Sequence, residues 1–230
     1  MSFDSTLAGG GLLLASLTIE NYVKTIYQLS SAAEGGAAST GKLAEALRVS
    51  PGTVTSMLKT LSESGLAEYV PYEGARLTEA GRMLALRVLR RHRLIELFLV
   101  RTLNLSWDEV HEEAENMEHA VSDLLVDRID AYLGHPATDP HGDPIPKADG
   151  TVAGSPGLRL SQVPVGSAFR VVRVLDQSPE FLRYLTERGL KLEATGVVIA
   201  SRDESDTITI QVDGQQTTLA TGIADRMLVV

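Results

Sequence analysis

The residues best suited to chemistry in this chain are two histidines and two glutamates in one short stretch: His111, Glu115, Glu118 and His119. If the stretch is one helix that turns by about 100° per residue, the four side chains lie within one arc of about 100°. Imidazole and carboxylate groups that lie side by side next to an apolar face bind divalent transition metals. The stretch therefore predicts a metal site, with a solvated acidic face as the alternative.

A second pair, His92 and Glu96, lies four residues apart in the preceding predicted helix. Glu96 interrupts an apolar run over residues 94–100, where a carboxylate is costly to bury unless it is paired or bound to a metal. A neighbouring arginine (Arg90, Arg91 or Arg93) is the alternative partner. Because three of the five histidines stand at such a spacing from a glutamate, we favour metal binding.

The composition restricts the other kinds of chemistry. Of the 230 residues, 43% are hydrophobic, 22% are charged and none is cysteine. The lack of cysteine excludes disulfides, a cysteine nucleophile, zinc-finger sites and iron–sulfur sites. No apolar run of about 18 residues is present, so we expect no membrane-spanning helix. The first basic residue is Lys24, too late for the charged start of a secretory signal, so we expect a cytoplasmic protein.

The net charge of −9 is unevenly distributed along the chain. Residues 79–145 carry 13 acidic and 7 basic side chains, whereas residues 1–62 are balanced. The acidic middle suits a cation site, and the neutral N-terminal part is not repelled by nucleic acid.

The sequence patterns divide the chain into three regions. Apolar periodicity predicts helices over 19–29, 42–47, 51–64, 79–103 and 107–133, with a short hairpin at 66–78. Residues 134–158 contain five prolines and five glycines, which is typical of a linker. Short β-branched runs follow at 168–175, 196–201, 207–212 and 216–219, with one helix at 179–188. Asp213-Gly214 predicts a hairpin turn, and together these elements indicate a small barrel.

Residues 40–64 fit a helix-turn-helix, and the hairpin after it fits a wing. Such a pair places its second helix in the major groove, although the same geometry occurs in purely structural bundles. That second helix has no Arg, Asn or Gln to read bases directly, so threonine methyls and DNA shape must discriminate sequences. The candidate DNA-binding residues are Thr40, Lys42, Ser50, Pro51, Thr53, Thr55, Ser56, Lys59 and Arg76.

Taken together, these features resemble the diphtheria-toxin-repressor family of metal-dependent transcriptional repressors. The matching segments are ENYVKTIYQL at 20–29, RRHRLIELFL at 90–99, EVHEEAENMEHAVSD at 109–123 and DPHGDPIP at 139–146. The resemblance implies a mainly α fold with a small β domain. It implies a winged helix-turn-helix DNA-binding domain over 1–78, a helical dimerisation and metal-binding domain over 79–146, a linker over 147–158, and an SH3-like (FeoA-like) β-barrel over 159–230.

The resemblance also implies two metal sites. One comprises His92, Glu96 and His111, completed by Gln177 and Glu180 from the third domain. The other comprises Glu115, Glu118 and His119 with Asn21 from the first helix. Iron-responsive members have cysteine where this chain has Glu115, so the resemblance indicates Mn(II), with Fe(II) or another divalent transition metal as the alternative. Two positions depart from the manganese pattern: Asn21 replaces an aspartate, and Lys24 replaces a further acidic residue.

The function that the resemblance implies is repression of metal-uptake genes by a metal-bound homodimer on a palindromic double-stranded DNA operator. We expect no enzymatic activity, no membrane association and no small-molecule organic substrate. Two other classes remain open at this point. One is a metalloenzyme with a carboxylate–histidine centre, and the other is a winged-helix regulator that senses an organic ligand.

Overall fold

The computed structural model describes residues 6–32, 36–154, 157–202 and 206–230, with side chains of the first helix from Leu17 to Ser31. The chain forms two compact units: Met1–Arg90 with Ala148–Gly150, and Arg91–Lys147 with Thr151–Val230. The expected fold class is confirmed, since helices dominate the first two thirds and a β-sheet the last third. None of the helices in these described ranges is both long and apolar enough to cross a membrane.

The first unit contains the predicted helix-turn-helix and wing. Its elements are α1 (Thr6–Ala32), α2 (Thr40–Leu47), α3 (Pro51–Glu63), β1 (Ala67–Val70), β2 (Gly74–Leu77) and the start of α4 (Glu79–Leu103). The Ser50 side chain caps α3 by accepting a hydrogen bond from the Thr53 backbone N–H at 3.1 Å. Val54, Leu58 and Leu61 bury one face of α3, so its opposite face is left exposed.

The predicted helix over 107–133 is wrong, because the second unit contains two helices there. They are α5 (Val110–Met117) and α6 (Asp123–Tyr132). Ser122 begins α6 as its N-cap, and its side chain accepts from the Leu125 backbone N–H at 3.3 Å. Serine competes for backbone hydrogen bonds inside a helix and is favoured at its start, which explains the break.

The segment predicted as a linker is irregular but not detached. Within the described residues, 134–154 contain neither helix nor strand, apart from an isolated bridge between Thr138 and Pro144. Asp139, His141 and Ile145 are nevertheless buried. Gly142 has φ +86°, and a Cβ there would lie 2.1 Å from the carbonyl oxygen of Val172. The first half of the segment therefore packs closely against the C-terminal sheet.

The C-terminal region is an antiparallel sheet with the strand order β3-β8-β4-β5-β6-β7. Its strands are β3 (Leu158–Arg159), β4 (Ala168–Val174), β5 (Thr195–Arg202), β6 (Thr207–Val212), β7 (Gln215–Ala220) and β8 (Met227–Val229), with helices α7 (Pro179–Glu187) and α8 (Thr221–Ala224). Asp213 and Gly214 both have positive φ, at 50° and 79°, which confirms the predicted tight turn between β6 and β7. Phe181, Leu182 and Leu185 of α7 pack into the core of this sheet.

Candidate metal centre

His92 lies between two buried carboxylates. Its Nε2 is 3.0 Å from Glu96 Oε1, one turn along α4, and its Nδ1 is 2.6 Å from Glu118 Oε2 at the end of α5. All three side chains are almost completely buried. Glu96 is therefore paired with a histidine, while two of the arginines proposed as alternative partners pair elsewhere. Arg91 bonds Asp123 at 2.8 Å, and Arg93 bonds the Pro144 carbonyl at 2.6 Å.

Two groups of potential metal ligands share His92. The first is His92, Glu96 and His111, and the second is His92, Glu115 and Glu118. In each group the ligand atoms lie within 4.8 Å of one another. His111 Nδ1 is 3.2 Å from His92 Nε2 and 3.3 Å from Glu96 Oε1. The structure thus brings four of the predicted ligands together around a fifth, His92.

His119 lies in a turn, whereas we predicted that it lies on the same helix as His111. Helix α5 ends at Met117 with Glu118 as its C-cap, so His119 lies in the turn that follows. Its Nε2 is 3.3 Å from Glu118 Oε1, on the carboxylate that also contacts His92. The four residues of the original stretch are therefore close together, but the single helical arc is wrong.

A third group of potential ligands was missed by the sequence reasoning: Glu96, Asp139 and His141, all buried. Asp139 and His141 come from the proline- and glycine-rich segment, where no periodicity indicates burial. Three buried atoms of this group, Glu96 Oε2, Asp139 Oδ2 and His141 Nδ1, have no hydrogen-bond partner within the described residues. The available signal was the Asp-x-His spacing inside DPHGDPIP.

The pKa values of this third group are strongly perturbed. Burial acts to raise the pKa of Glu96, but His92, His111 and His141 outweigh burial and hold it well below its usual range. Burial and the charges of Asp143 and Glu96 raise the pKa of Asp139 to about 7. For His141, burial acts to lower the pKa, and the attraction of Glu96 and Asp139 more than compensates, so it is raised.

These observations fit a divalent cation. Buried polar atoms are normally hydrogen-bonded, and three converging atoms that make no hydrogen bond are what a bound cation satisfies. Their nearest charged groups lie farther away than a hydrogen bond reaches: Arg93 Nε is 3.6 Å from Asp139 Oδ2, and His141 Nδ1 is 3.7 Å from Glu96 Oε2. Every potential ligand in the three groups is a carboxylate oxygen or an imidazole nitrogen. A bound divalent cation would add positive charge where Arg93 and the histidines only partly balance the clustered carboxylates.

The remaining predicted ligands lie outside these three groups. Asn21 is on α1 in the first unit, where its backbone carbonyl accepts a hydrogen bond from Thr25 Oγ1 at 2.8 Å. The Gln177 side-chain amide donates to Asp143 Oδ2 at 3.0 Å. Glu180 is exposed in the first turn of α7.

The candidate DNA-binding residues surround the exposed face of α3. Thr53, Ser56 and Lys59 are exposed on the helix itself, and Thr55 donates to the Pro51 carbonyl at 2.9 Å. Lys42 on α2 and Arg76 on β2 are also exposed. Thr40 is partly buried at the start of α2, and Ser50 and Pro51 are exposed at the start of α3. The side chains predicted to meet DNA are thus mostly accessible.

Comparison with known families and proteins identifies the parts of the chain. Residues 15–75 match the N-terminal DNA-binding domain of iron-dependent repressors. Residues 78–147 match the metal-binding and dimerisation domain of the same repressors, and residues 158–230 match the FeoA domain.

Two curated relatives and one solved structure are similar over most of their length. The iron-dependent repressor IdeR of Mycobacterium leprae is 34% identical over 192 residues, covering 80% of this chain and 82% of the relative. The diphtheria toxin repressor of Corynebacterium diphtheriae is 30% identical over 216 residues, covering 90% of this chain and 94% of the relative. A manganese-dependent transcriptional repressor in complex with manganese is 40% identical, with a TM-score of 0.82, covering 92% of this chain and 99% of that one.

These matches decide between the classes that the sequence left open. Two of the three matched domains are those of iron-dependent repressors, and the relatives are repressors over most of their length, so the chain is a regulator and not a metalloenzyme. The metal-binding domain coincides with the region that holds the three groups of carboxylates and histidines. The chain belongs to the diphtheria-toxin-repressor family of metal-dependent transcriptional repressors.

Proposed function

We propose that this protein represses metal-uptake genes in response to Mn(II), binding its operator as a homodimer only when the metal is bound. The observation that carries this proposal is the ligand group around His92, which contains Glu115 and Glu118 and no sulfur. Oxygen and nitrogen ligands without thiolate suit Mn(II) better than softer metals. The similarity to a solved manganese-dependent repressor supports the same choice.

The proposed metal response arises from the carboxylates. Without a cation, Glu96, Glu115 and Glu118 bring like charges close together, which favours separation of α4 from α5. When these carboxylates and the histidines share a cation, they hold the two helices in one arrangement. Such linkage is typically worth about 1–3 kcal/mol, or about a 5- to 150-fold change in operator affinity. On sequence grounds we retain Asn21, Gln177 and Glu180 as further proposed ligands.

The proposed DNA contact uses α3 in the major groove. Lys42, Lys59 and Arg76 supply contacts to phosphates, which give affinity without sequence information. The exposed hydroxyl and methyl groups of Thr53 and Ser56 face the bases, and DNA shape supplies further discrimination. Because the target is genomic DNA, we propose that the protein acts in the cytoplasm.

The proposed homodimer contact is on α6. Leu124, Leu125 and Tyr132 on this helix are exposed, with 68%, 46% and 70% of their surface accessible. Large exposed apolar side chains on one element are typical of an interaction surface. In the dimer, two copies of α3 would lie about one DNA turn apart and read a palindromic operator.

A genomic-fragment capture tests this function. Purified full-length protein is mixed with sheared genomic DNA in Mn(II), in anaerobic Fe(II) or in chelator, and bound fragments are sequenced. We expect a few promoter fragments with Mn(II) and none in chelator. Stronger enrichment with Fe(II) would favour the iron-responsive alternative, which the similarity to iron-dependent repressors supports. Equal enrichment with and without metal would overturn the metal-dependent mechanism and favour an organic effector.

A further inference from the structure

Trp107, the only tryptophan of the chain, connects the third ligand group to the FeoA domain. It lies in the loop between α4 and α5. Its backbone carbonyl is 2.8 Å from His141 Nε2, and its ring stacks on the His141 imidazole with centroids 6.1 Å apart and planes 19° apart. Its indole N–H donates to Thr186 Oγ1 on α7 at 2.9 Å. One residue thus contacts a candidate metal ligand on one side and the C-terminal domain on the other.

The carbonyl of Trp107 determines which nitrogen of His141 faces the ligand group. A carbonyl oxygen only accepts hydrogen bonds, so the hydrogen must be on His141 Nε2. The other nitrogen, Nδ1, then points toward Glu96 Oε2 at 3.7 Å. Metal-ligating histidines commonly donate their second ring N–H to a backbone carbonyl in this way, and the contact sets the orientation of the ring.

The position of this carbonyl depends on α7. The Thr186 hydroxyl that accepts from the indole itself donates to the Leu182 carbonyl at 2.9 Å, which fixes it on the helix. The next residue of the loop, Asp108, accepts from Arg183 Nε at 2.9 Å. Two adjacent loop residues are therefore held by two residues of α7, one helical turn or less apart.

We propose that Trp107 is a positioning residue through which the FeoA domain sets the metal affinity of the Glu96–Asp139–His141 group. In this arrangement the domain acts on the ion of this third group without α7 supplying a ligand to that group. The Thr186 hydroxyl holds the indole, the Trp107 carbonyl and ring hold His141, and His141 Nδ1 is presented to the cation. The inference rests on the proposed function to the extent that this group binds a divalent cation.

The test measures Mn(II) binding by the full-length protein without DNA, by calorimetry and by tryptophan fluorescence. The Asp139→Asn variant is measured first. The Mn(II) binding event that is present in the wild type and absent in this variant is assigned to the third group. Thr186→Val removes the hydrogen-bond acceptor at nearly constant shape, and Trp107→Phe removes the indole N–H but keeps an aromatic ring and the carbonyl. We expect each substitution to lower the affinity for the ion that depends on Asp139 about tenfold. The affinity for any other bound ion should be unchanged.

The double variant and a matched control make the test specific. Because both substitutions break the same hydrogen bond, the Trp107→Phe/Thr186→Val double variant should bind no more weakly than either single variant. In Thr186→Val, the midpoint of quenching of Trp107 fluorescence by Mn(II) should shift by the same factor as the calorimetric affinity. Thr218→Val removes a comparable hydroxyl, which bonds Thr209 at 3.0 Å in the sheet of the same domain, and this variant should bind Mn(II) like the wild type.

Three results with the Trp107, Thr186 and Thr218 variants would overturn the inference. They are wild-type affinity in Thr186→Val, additive losses in the double variant, and an equal loss in Thr218→Val. The proposed repressor function fails differently, when operator binding does not respond to Mn(II) whatever the Thr186 variant does. If Asp139→Asn loses no ion, the third group is not a metal site, and the inference fails while the sites around His92 stand.

Discussion

His92 Nδ1 lies 2.6 Å from Glu118 Oε2, although 26 residues separate them in the sequence. The contact joins the middle of α4 to the end of α5, and both side chains are buried. A buried carboxylate that contacts a histidine is well placed to bind a metal, because the imidazole ring orients the carboxylate. This pair is therefore the point where a change in charge should have the largest effect on the metal response.

Replacing Glu118 by glutamine should abolish the metal response. The substitution keeps the size of the side chain but removes the negative charge that faces His92 and His119. We expect Mn(II) to raise operator affinity less than about fivefold in the variant, compared with about 5- to 150-fold in the wild type. Fluorescence anisotropy of a labelled operator, with and without Mn(II), measures this effect, and circular dichroism checks the fold.

Glu113→Gln is the matched control for this prediction. Glu113 is exposed on the same helix and belongs to none of the ligand groups in the described residues. Its substitution should leave the metal response unchanged. A wild-type response in Glu118→Gln would show that the metal response does not depend on this carboxylate.

Asp139 should make the metal-free protein less stable as the pH rises. Its folded-state pKa of about 7 lies above the value of 3.8 for an unperturbed aspartate, because of burial and the nearby charges of Asp143 and Glu96, which His141 and Arg93 only partly offset. Between these two values the folded chain holds the proton and the unfolded chain does not. The stability contributed by this group is therefore present below about pH 4 and is lost as the pH rises through about 7.

Asp139→Asn tests this pH dependence in chelator. The variant does not titrate, so its Tm should rise relative to wild type by a few degrees between about pH 5 and pH 8. Asp213→Asn, at an exposed turn that tolerates asparagine, should show no such trend. A Tm difference that does not vary with pH in Asp139→Asn would contradict the raised pKa. Excess Mn(II) should stabilise the wild type more at higher pH, since the ligands must be deprotonated.

Gly142→Ala should damage the third ligand group selectively. Gly142 has a positive φ, and a Cβ there would lie 2.1 Å from the Val172 carbonyl oxygen, so the backbone between His141 and Asp143 must move. We expect a loss of about 2 kcal/mol or more in stability, as for other residues forced into strained backbone. Denaturant unfolding measures the loss, and calorimetry with Mn(II) should show weaker binding.

The control for Gly142→Ala is Gly154→Ala, because a Cβ at Gly154 meets nothing within 4 Å and its backbone has no positive φ. This variant should unfold and bind Mn(II) like the wild type. Wild-type Mn(II) binding in Gly142→Ala would show that the segment holding Asp139 and His141 does not contribute to metal affinity.

Lys59→Ala should weaken DNA binding without changing which sequence is preferred. Lys59 is exposed on α3, and a lysine that contacts a phosphate contributes affinity that depends on salt. We expect the slope of log affinity against log salt to fall by about one unit, equally for operator and random DNA. Titrations at several salt concentrations measure the slope, with Lys191→Ala on the C-terminal domain as the control. An unchanged slope would exclude Lys59 from the phosphate contacts.

Leu124→Asp should prevent dimerisation. A charge placed on the exposed apolar surface of α6 would have to be buried without a partner in the proposed dimer. Light scattering after size exclusion should give the mass of a monomer for this variant in Mn(II) and of a dimer for the wild type. Val165→Asp introduces the same charge at an exposed valine of the C-terminal domain and should remain dimeric. A dimeric Leu124→Asp variant would place the interface elsewhere.

Local sequence signals determined most of the architecture. The helix-turn-helix could be predicted because Ser50 and Pro51 form a helix start that depends only on adjacent residues. The full length of α4 follows from its unbroken apolar periodicity, and the turn at Asp213-Gly214 follows from the conformations these residues favour. A metal site was likewise indicated by local signals, namely the types and short spacings of His92, Glu96, His111, Glu115, Glu118 and His119.

Only the tertiary structure decided which of these groups meet. His119 lies in the turn after α5, and Ser122 begins a second helix where one helix was predicted. The single helical arc predicted for His111, Glu115, Glu118 and His119 was therefore wrong. Asp139 and His141 lie in a segment without periodicity, and their burial beside Glu96 depends on how residues more than 40 positions apart in the chain pack together. Atoms of distant residues approach within bonding distance only through packing, and no local pattern encodes such a distance.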